Sequence, residues 1–281
     1  MKSVRGRLTV LSDNILVERE EGLGEHGFAL LVETEVGNYL FDTGRGGTVV
    51  HNALVYKRDL GSIQQIILSH GHGDHTGGLP EVLRFHKKID VLGHPDIFLY
   101  RFRKDKDGSE RYSGIPYVRG YLERMGACFV LNDTAVDIAQ GLSLTGPVPR
   151  KTDYEIGDLG NRFALRDGKV VPEDVRDDQS LIVTTREGIL IVLGCAHAGI
   201  INIIDHAINL TGTDTIFGVV GGTHLGFSGE EQTEKTIRVL KTYKIKHLIT
   251  GHCTGIEVAV RLRNEFPKIF HFSHVGLVFE F

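Results

Sequence analysis

At 281 residues, 41% hydrophobic and 24% charged, the chain has an ordinary globular composition, with room for a sizeable core in one large α/β domain or two small ones. Its 36 acidic against 32 basic residues leave a formal charge of −4, which gives no electrostatic reason to expect nucleic acid or a membrane surface as partner. Three cysteines (Cys128, Cys195, Cys253) are too few and of the wrong parity for a disulfide framework, and no run of about 18 apolar residues suggests a membrane span. The first residues, MKSVRGRLTV, begin no signal peptide pattern, so a cytoplasmic location is expected.

Taken in chain order, short β-branched runs alternate with amphipathic stretches, the mark of α/β layering. Residues 28–44 predict a hairpin turning at Val36-Gly37-Asn38, and Ile63 to Ser69 predicts a buried strand running into a histidine cluster. Between roughly 94 and 145 the pattern loosens into a charged, glycine-punctuated stretch, which predicts an insertion beside the active site within a single 1–281 domain. Residues 188–199 predict another strand ending in glycine, cysteine and histidine. Next, Ile200, Ile203, Ile204, Ala207 and Ile208 fall on one helical stripe. Strand 216–222 ends at Thr223-His224, a helix follows over 230–243, and strand 247–251 ends at His252. A helix over about 255–266 then leads to one closing strand.

The repeated unit is strand, glycine, histidine, helix. Ligands gather at the carboxyl ends of strands in α/β sheets, so histidines delivered there by separate strands can share one site. Seven of the 14 histidines sit in segments where a strand ends or turns: His70, His72, His75, His197, His224, His252 and His274. His26, His51, His86, His94, His206, His247 and His271 lack that context and form the background.

The densest cluster is Ser69-His70-Gly71-His72-Gly73-Asp74-His75. Two imidazoles two residues apart can face one way from an extended turn, while Asp74 and His75 start a helix and face a neighbouring position. Gly71 and Gly73 are expected to supply the backbone torsions of the turn. Two clusters of N and O ligands suit a pair of divalent ions, zinc first, with manganese or iron as alternatives. Such a pair lowers the pKa of bound water from about 15.7 to ~7, giving a hydroxide nucleophile at neutral pH. A structural zinc would favour a cysteine-rich closed site, and no Cys-x-x-Cys is present.

His70-Gly71-His72-Gly73-Asp74-His75, after a strand and downstream of Phe41-Asp42-Thr43-Gly44, resembles the HxHxDH hallmark of the metallo-β-lactamase superfamily. The segments LFDTG, LSHGHGDHTGGL, DDQSLIV, GCAHAGIINII, GGTHL and GHCTG stand in the order of one branch, the dihydropterin-ribofuranosylaminobenzene 5'-phosphate synthases, which is similar from about residue 8 to 281 and weakest over 94–140. The resemblance implies an αββα four-layer sandwich. It also implies His70, His72 and His197 on one metal and Asp74, His75 and His252 on the other. Two departures stand out: LTGPVPR (144–150) lacks the usual third histidine, which His197 replaces, and Cys195 falls where a bridging aspartate is usual. Asp42 is expected to orient a histidine, a buried free thiol is the plainer reading of Cys195, and His274 is left undecided. Asp74 and His224 are the candidate catalytic residues, His224 because a neutral imidazole titrates near working pH.

The leading function is a di-metal hydrolase of a phosphoester or similar anionic small molecule. The alternative is the branch's transferase, joining a dihydropterin diphosphate to an aminobenzene ribofuranosyl phosphate. A di-iron redox protein is disfavoured because His72 stands where that class has glutamate, and a non-catalytic metal binder because the ligand set is complete. Arg111, Arg119, Arg150 and Lys151 read as solvated charge before they read as phosphate contacts. A membrane partner is not expected, and oligomer formation is left open.

Overall fold

The computed structural model describes residues 2–17, 21–157 and 160–281. Two seven-stranded sheets form its centre. The first runs, edge to edge, Val278–Glu280, Gly6–Ser12, Ala29–Thr34, Gly37–Phe41, Ile63–Ile67, Ile89–Gly93 and Ala127–Leu131. The second runs Phe270–Phe272, Lys244–Gly251, Thr215–Gly222, Gly188–Val192, Leu181–Thr185, Leu142–Leu144 and Val136–Ala139. Helices Ile200–Thr211, Glu230–Leu240 and Ile256–Glu265 cover the second sheet, and the shorter Val49–Val55, Leu79–Leu83 and Arg119–Arg124 cover the first. The order of layers is αββα.

Strand Gly188–Val192 shows why the sequence reads as unbroken apolar runs. Ile189 and Ile191 pack under the helices, while Leu190 and Val192 join the inter-sheet core with Phe41 and Ile67 of the other sheet. Ala29 and Leu31 against Leu30 and Val32 divide in the same way. A strand buried on both faces has no polar side to alternate.

Three expectations change in detail. The first hairpin turns at Glu35-Val36, one residue early, because Thr34 pairs with Gly37 and its hydroxyl donates to the Gly37 carbonyl at 2.8 Å. The closing strand is two: Phe270–Phe272 joins the second sheet and Val278–Glu280 the first, where it pairs with Gly6–Ser12. Of segment 94–145, Ala127–Leu131 and both strands over 136–144 belong to the main sheets. Only Tyr100–Lys104 and Glu110–Tyr112 leave them, in a four-stranded antiparallel sheet completed by Arg162–Arg166 and Lys169–Pro172.

Candidate metal centre

The four strands Gly37–Phe41, Ile63–Ile67, Ile89–Gly93 and Ala127–Leu131 run parallel, as do Gly188–Val192, Thr215–Gly222, Lys244–Gly251 and Phe270–Phe272. Asp42, His70, Cys195, His197, His224 and His252 all lie just beyond the carboxyl ends of these strands. Among them Asp42, His224 and His252 hold left-handed backbone at φ 59, 57 and 48°, as does Ala196 at 58° between Cys195 and His197. Such conformations cost about 1–3 kcal/mol each in non-glycine residues and persist where surrounding contacts fix them. Gly71 and Gly73, by contrast, avoid positive φ. Gly71 is needed for space, since a Cβ there would stand 2.2 Å from the Ile97 carbonyl oxygen.

Two donor sets converge from these loops. His70 Nε2 lies 2.9 Å from His72 Nδ1 and 3.2 Å from His197 Nε2. His75 Nε2 lies 3.2 Å from His252 Nε2, and Asp74 Oδ2 lies 3.9 and 3.6 Å from those two nitrogens. Ligand atoms at ~2.05 Å around a tetrahedral ion stand about 3.3 Å apart, so both spacings suit a shared ion. The outward nitrogens are already engaged: His70 Nδ1 with Ser69 Oγ at 2.9 Å, His72 Nε2 with Glu173 Oε1 at 2.9 Å, His75 Nδ1 with Asp42 Oδ2 at 2.7 Å and His252 Nδ1 with Asn14 Oδ1 at 2.9 Å. Metal-binding histidines are oriented in this way, one nitrogen held and the other presented. The donor sets therefore fit divalent metal ions on their own chemistry.

Electrostatics without metal agrees with that chemistry at His70 and His252, and at His75 a metal ion would have to displace a proton. Burial, then the neighbouring imidazoles of His75, His72 and His197, holds the pKa of His70 well below its ordinary value. Burial pulls His252 down to about 4. Both rings therefore keep their lone pairs, as ligation requires. Burial also opposes protonation of His75, but the carboxylates of Asp42 and Asp74 outweigh it and raise His75 to about 9. Cys195 Sγ lies 3.1 Å from His75 Nε2, and burial raises its thiol pKa well above the ordinary range.

A carboxylate-rich clip holds the two histidine loops together. Asp177 Oδ2 accepts from Gly71 N at 2.7 Å, Asp178 Oδ2 accepts from Ala198 N at 2.8 Å, and Gln179 donates its backbone N–H to Ser69 O at 3.0 Å. Arg101, 1% exposed, reaches Asp177 at 2.7 Å and Glu173 at 3.3 Å, so the small sheet is bonded to the residues that hold His72 and Gly71. Arg150 donates to the His197 carbonyl at 2.6 Å.

A cleft of about 490 Å³ opens onto this centre, lined by His72, Asp74, Cys195, His197, His224 and Cys253. Arg45, Arg103, Arg111 and Arg162 form its basic wall, with Tyr112 and Tyr117 beside them. The His224 ring centroid lies 4.2 Å from that of His197. His274 is not brought there: its Nδ1 lies 2.9 Å from the Val275 carbonyl. Arg119 pairs with Glu123 on its own exposed helix, and Lys151 meets Asn202 through its backbone. Sequence reasoning missed His26, whose Nε2 lies 3.2 Å from Asp74 Oδ2, together with Asp13, Asn14 and Glu173. The DDQ run was a signal in plain sight, but nothing local gives it a partner.

The Metallo-beta-lactamase superfamily model matches residues 22–252, and the chain belongs to that superfamily. It is an enzyme of this fold, hydrolase or transferase, and the fold implies divalent metal binding. Among particular proteins, it is 30% identical over 265 residues to the 7,8-dihydropterin-6-methyl-4-(beta-D-ribofuranosyl)-aminobenzene-5'-phosphate synthase of Methanocaldococcus jannaschii, covering 92% of this chain and 90% of that one. An uncharacterised protein of the same archaeon is 30% identical over 274 residues, covering 96% and 98%. The solved structure of Tm1679, described as a metal-dependent hydrolase of the beta-lactamase superfamily, superposes with a TM-score of 0.82 at 27% identity, covering 98% and 99%. Among the described residues no helix is long and apolar enough to cross a membrane.

Proposed function

We propose that the chain is a two-metal hydrolase of a phosphoester or similar anionic small molecule. The observation that carries this reading is the basic wall of the cleft. Arg45, Arg103, Arg111 and Arg162 border the same opening as both donor sets. Among the described residues, Arg103 and Arg111 both pair with Asp105, at 2.7 and 3.4 Å. Guanidinium groups suit bidentate phosphate contacts, and a cleft of about 490 Å³ accommodates a nucleotide-sized ligand.

In this reading His70, His72 and His197 hold one ion, and Asp74, His75 and His252 hold the other. Two ions there, most simply zinc, would supply Lewis acidity and an activated water. The chain's own residues do the rest. The arginines bind the anionic group and orient it toward the donor sets. Asp74, hydrogen-bonded to His26, is fixed in direction at the cleft floor. His224 supplies a proton to the leaving oxygen from the rim.

A second reading is favoured by the archaeal synthase relative: the transferase that the sequence resemblance implies, in which an aminobenzene ribofuranosyl phosphate displaces diphosphate from a dihydropterin. Metal-reconstituted protein assayed against phosphomonoesters, phosphodiesters, a lactam and the dihydropterin diphosphate separates these. Phosphate release from single substrates supports the hydrolase. Diphosphate release only when the aminobenzene partner is present supports the transferase. Turnover confined to the uncharged lactam would overturn both.

A further inference from the structure

Two of the three cysteines meet at the centre although their strands are not neighbours. Cys195 follows strand Gly188–Val192 and Cys253 follows Lys244–Gly251, with strand Thr215–Gly222 between them. Gly222 ends that middle strand. A Cβ on it would stand 2.5 Å from Cys253 Sγ and 3.4 Å from Cys195 Cα, so any side chain there would wedge the two apart. With none present, Cys253 Sγ donates to the Cys195 carbonyl at 3.4 Å, and both thiol sulfurs lie within 4.8 Å of each other and of a His252 ring nitrogen. Both cysteines are buried in the fold yet line the cleft, within reach of a small solute.

We propose that Cys195 and Cys253 form a peroxide-sensitive pair, whose oxidation to a disulfide dismantles the metal-binding arrangement. A thiolate of the pair attacks one peroxide oxygen, giving a sulfenic acid and, with a proton, water. The second thiol then displaces the sulfenic oxygen as a second water, forming the S–S bond. Two thiols lose two electrons and two protons, and one hydrogen peroxide becomes two waters. Closure to an S–S length of about 2.05 Å draws Cys195 Sγ away from His75 Nε2, now 3.1 Å off. It also moves Cys253, which accepts from the His224 backbone N–H at 3.3 Å and directly follows His252. Cys195 Sγ groups with His70 and His75, with His197 and His224, and with His252 and Cys253, so its displacement disturbs both donor sets. Dithiol reduction would reverse the change. The proposal does not depend on which reaction the enzyme performs.

The test treats metal-loaded, reduced protein with one equivalent of hydrogen peroxide and follows intact mass, peptide linkage and bound metal together. The expected product has lost two hydrogen atoms, contains a 195–253 linked peptide, has released at least one metal ion, and reloads after dithiothreitol. Cys128, on the edge strand of the first sheet, is the internal control: Cys128→Ser should form the same link to the same extent. Cys253→Ser should form none. Added oxygen atoms on unlinked cysteines, a link through Cys128, or a 195–253 link formed with full metal retention would overturn the proposal. Wild-type mapping and Cys128→Ser decide the matter even if Cys253→Ser does not fold.

Discussion

Glu173 Oε1 stands 2.9 Å from His72 Nε2 and 3.3 Å from Arg101 Nη1, joining a proposed metal ligand to a buried guanidinium of the small sheet. The carboxylate fixes the ring so that Nδ1 faces His70. Replacing Glu173 with Gln keeps the shape and removes the charge. Losing such an outer partner typically weakens metal binding 10–100-fold, and competition against a chromophoric chelator should show a loss of about that size. Unchanged affinity would mean that packing alone orients His72.

The donor sets themselves predict stoichiometry. Wild-type protein should carry up to two transition-metal ions per chain, and the His70→Ala, His72→Ala double variant should lose one. Elemental analysis of both proteins after identical loading gives the answer. Full occupancy in the double variant would remove the assignment.

His224 should separate catalysis from binding. His224→Ala is expected to leave metal content and melting temperature in place while turnover falls about 10²–10⁴-fold, the usual size of a lost general acid or base. A lost ion would make it a ligand, and unchanged turnover would leave it a structural residue.

Asp178, which holds the backbone beside His197, makes a pH prediction for the metal-free protein. Burial, opposed by its bond from Ala198 N, raises its pKa from the ordinary 3.8 to about 7. The folded state then binds more protons than the unfolded chain between those values, so this group's contribution is fully present below about pH 4 and is lost as pH rises through about 7. In metal-free protein, Asp178→Asn should flatten the decline in melting temperature over that range. An identical slope in both proteins would refute the assignment.

Much of the proposed centre was legible because its histidines carry a local signature. His197, His224 and His252 each follow an apolar strand and a glycine, His70 follows an apolar strand and precedes a glycine, and the structure gathers all four at strand ends. The parts that escaped have partners that no window contains. Asn14 bonds His252 across 238 positions and Asp13 bonds Ser273 across 260, while His26 sits in a polar loop whose relation to Asp74 exists only once the first sheet forms. Glu173 and Arg101 likewise read as ordinary charged residues until two distant hairpins pair. The roles expected of Gly71 and Gly73 failed for a related reason: the constraint at Gly71 comes from Ile97 across the loop and not from its own torsions.

Pairing of Gly6–Ser12 with Val278–Glu280 bears on the order of events during synthesis. Asp13, at the end of the first of these strands, accepts from His252 N at 3.0 Å and from Ser273 Oγ at 2.7 Å. An emerging chain can pair its first hairpin early, but it cannot set His252 until residues beyond 270 have left the ribosome. Nascent protein therefore has the HxHxDH loop in hand before the loop that carries His252 can be fixed in place.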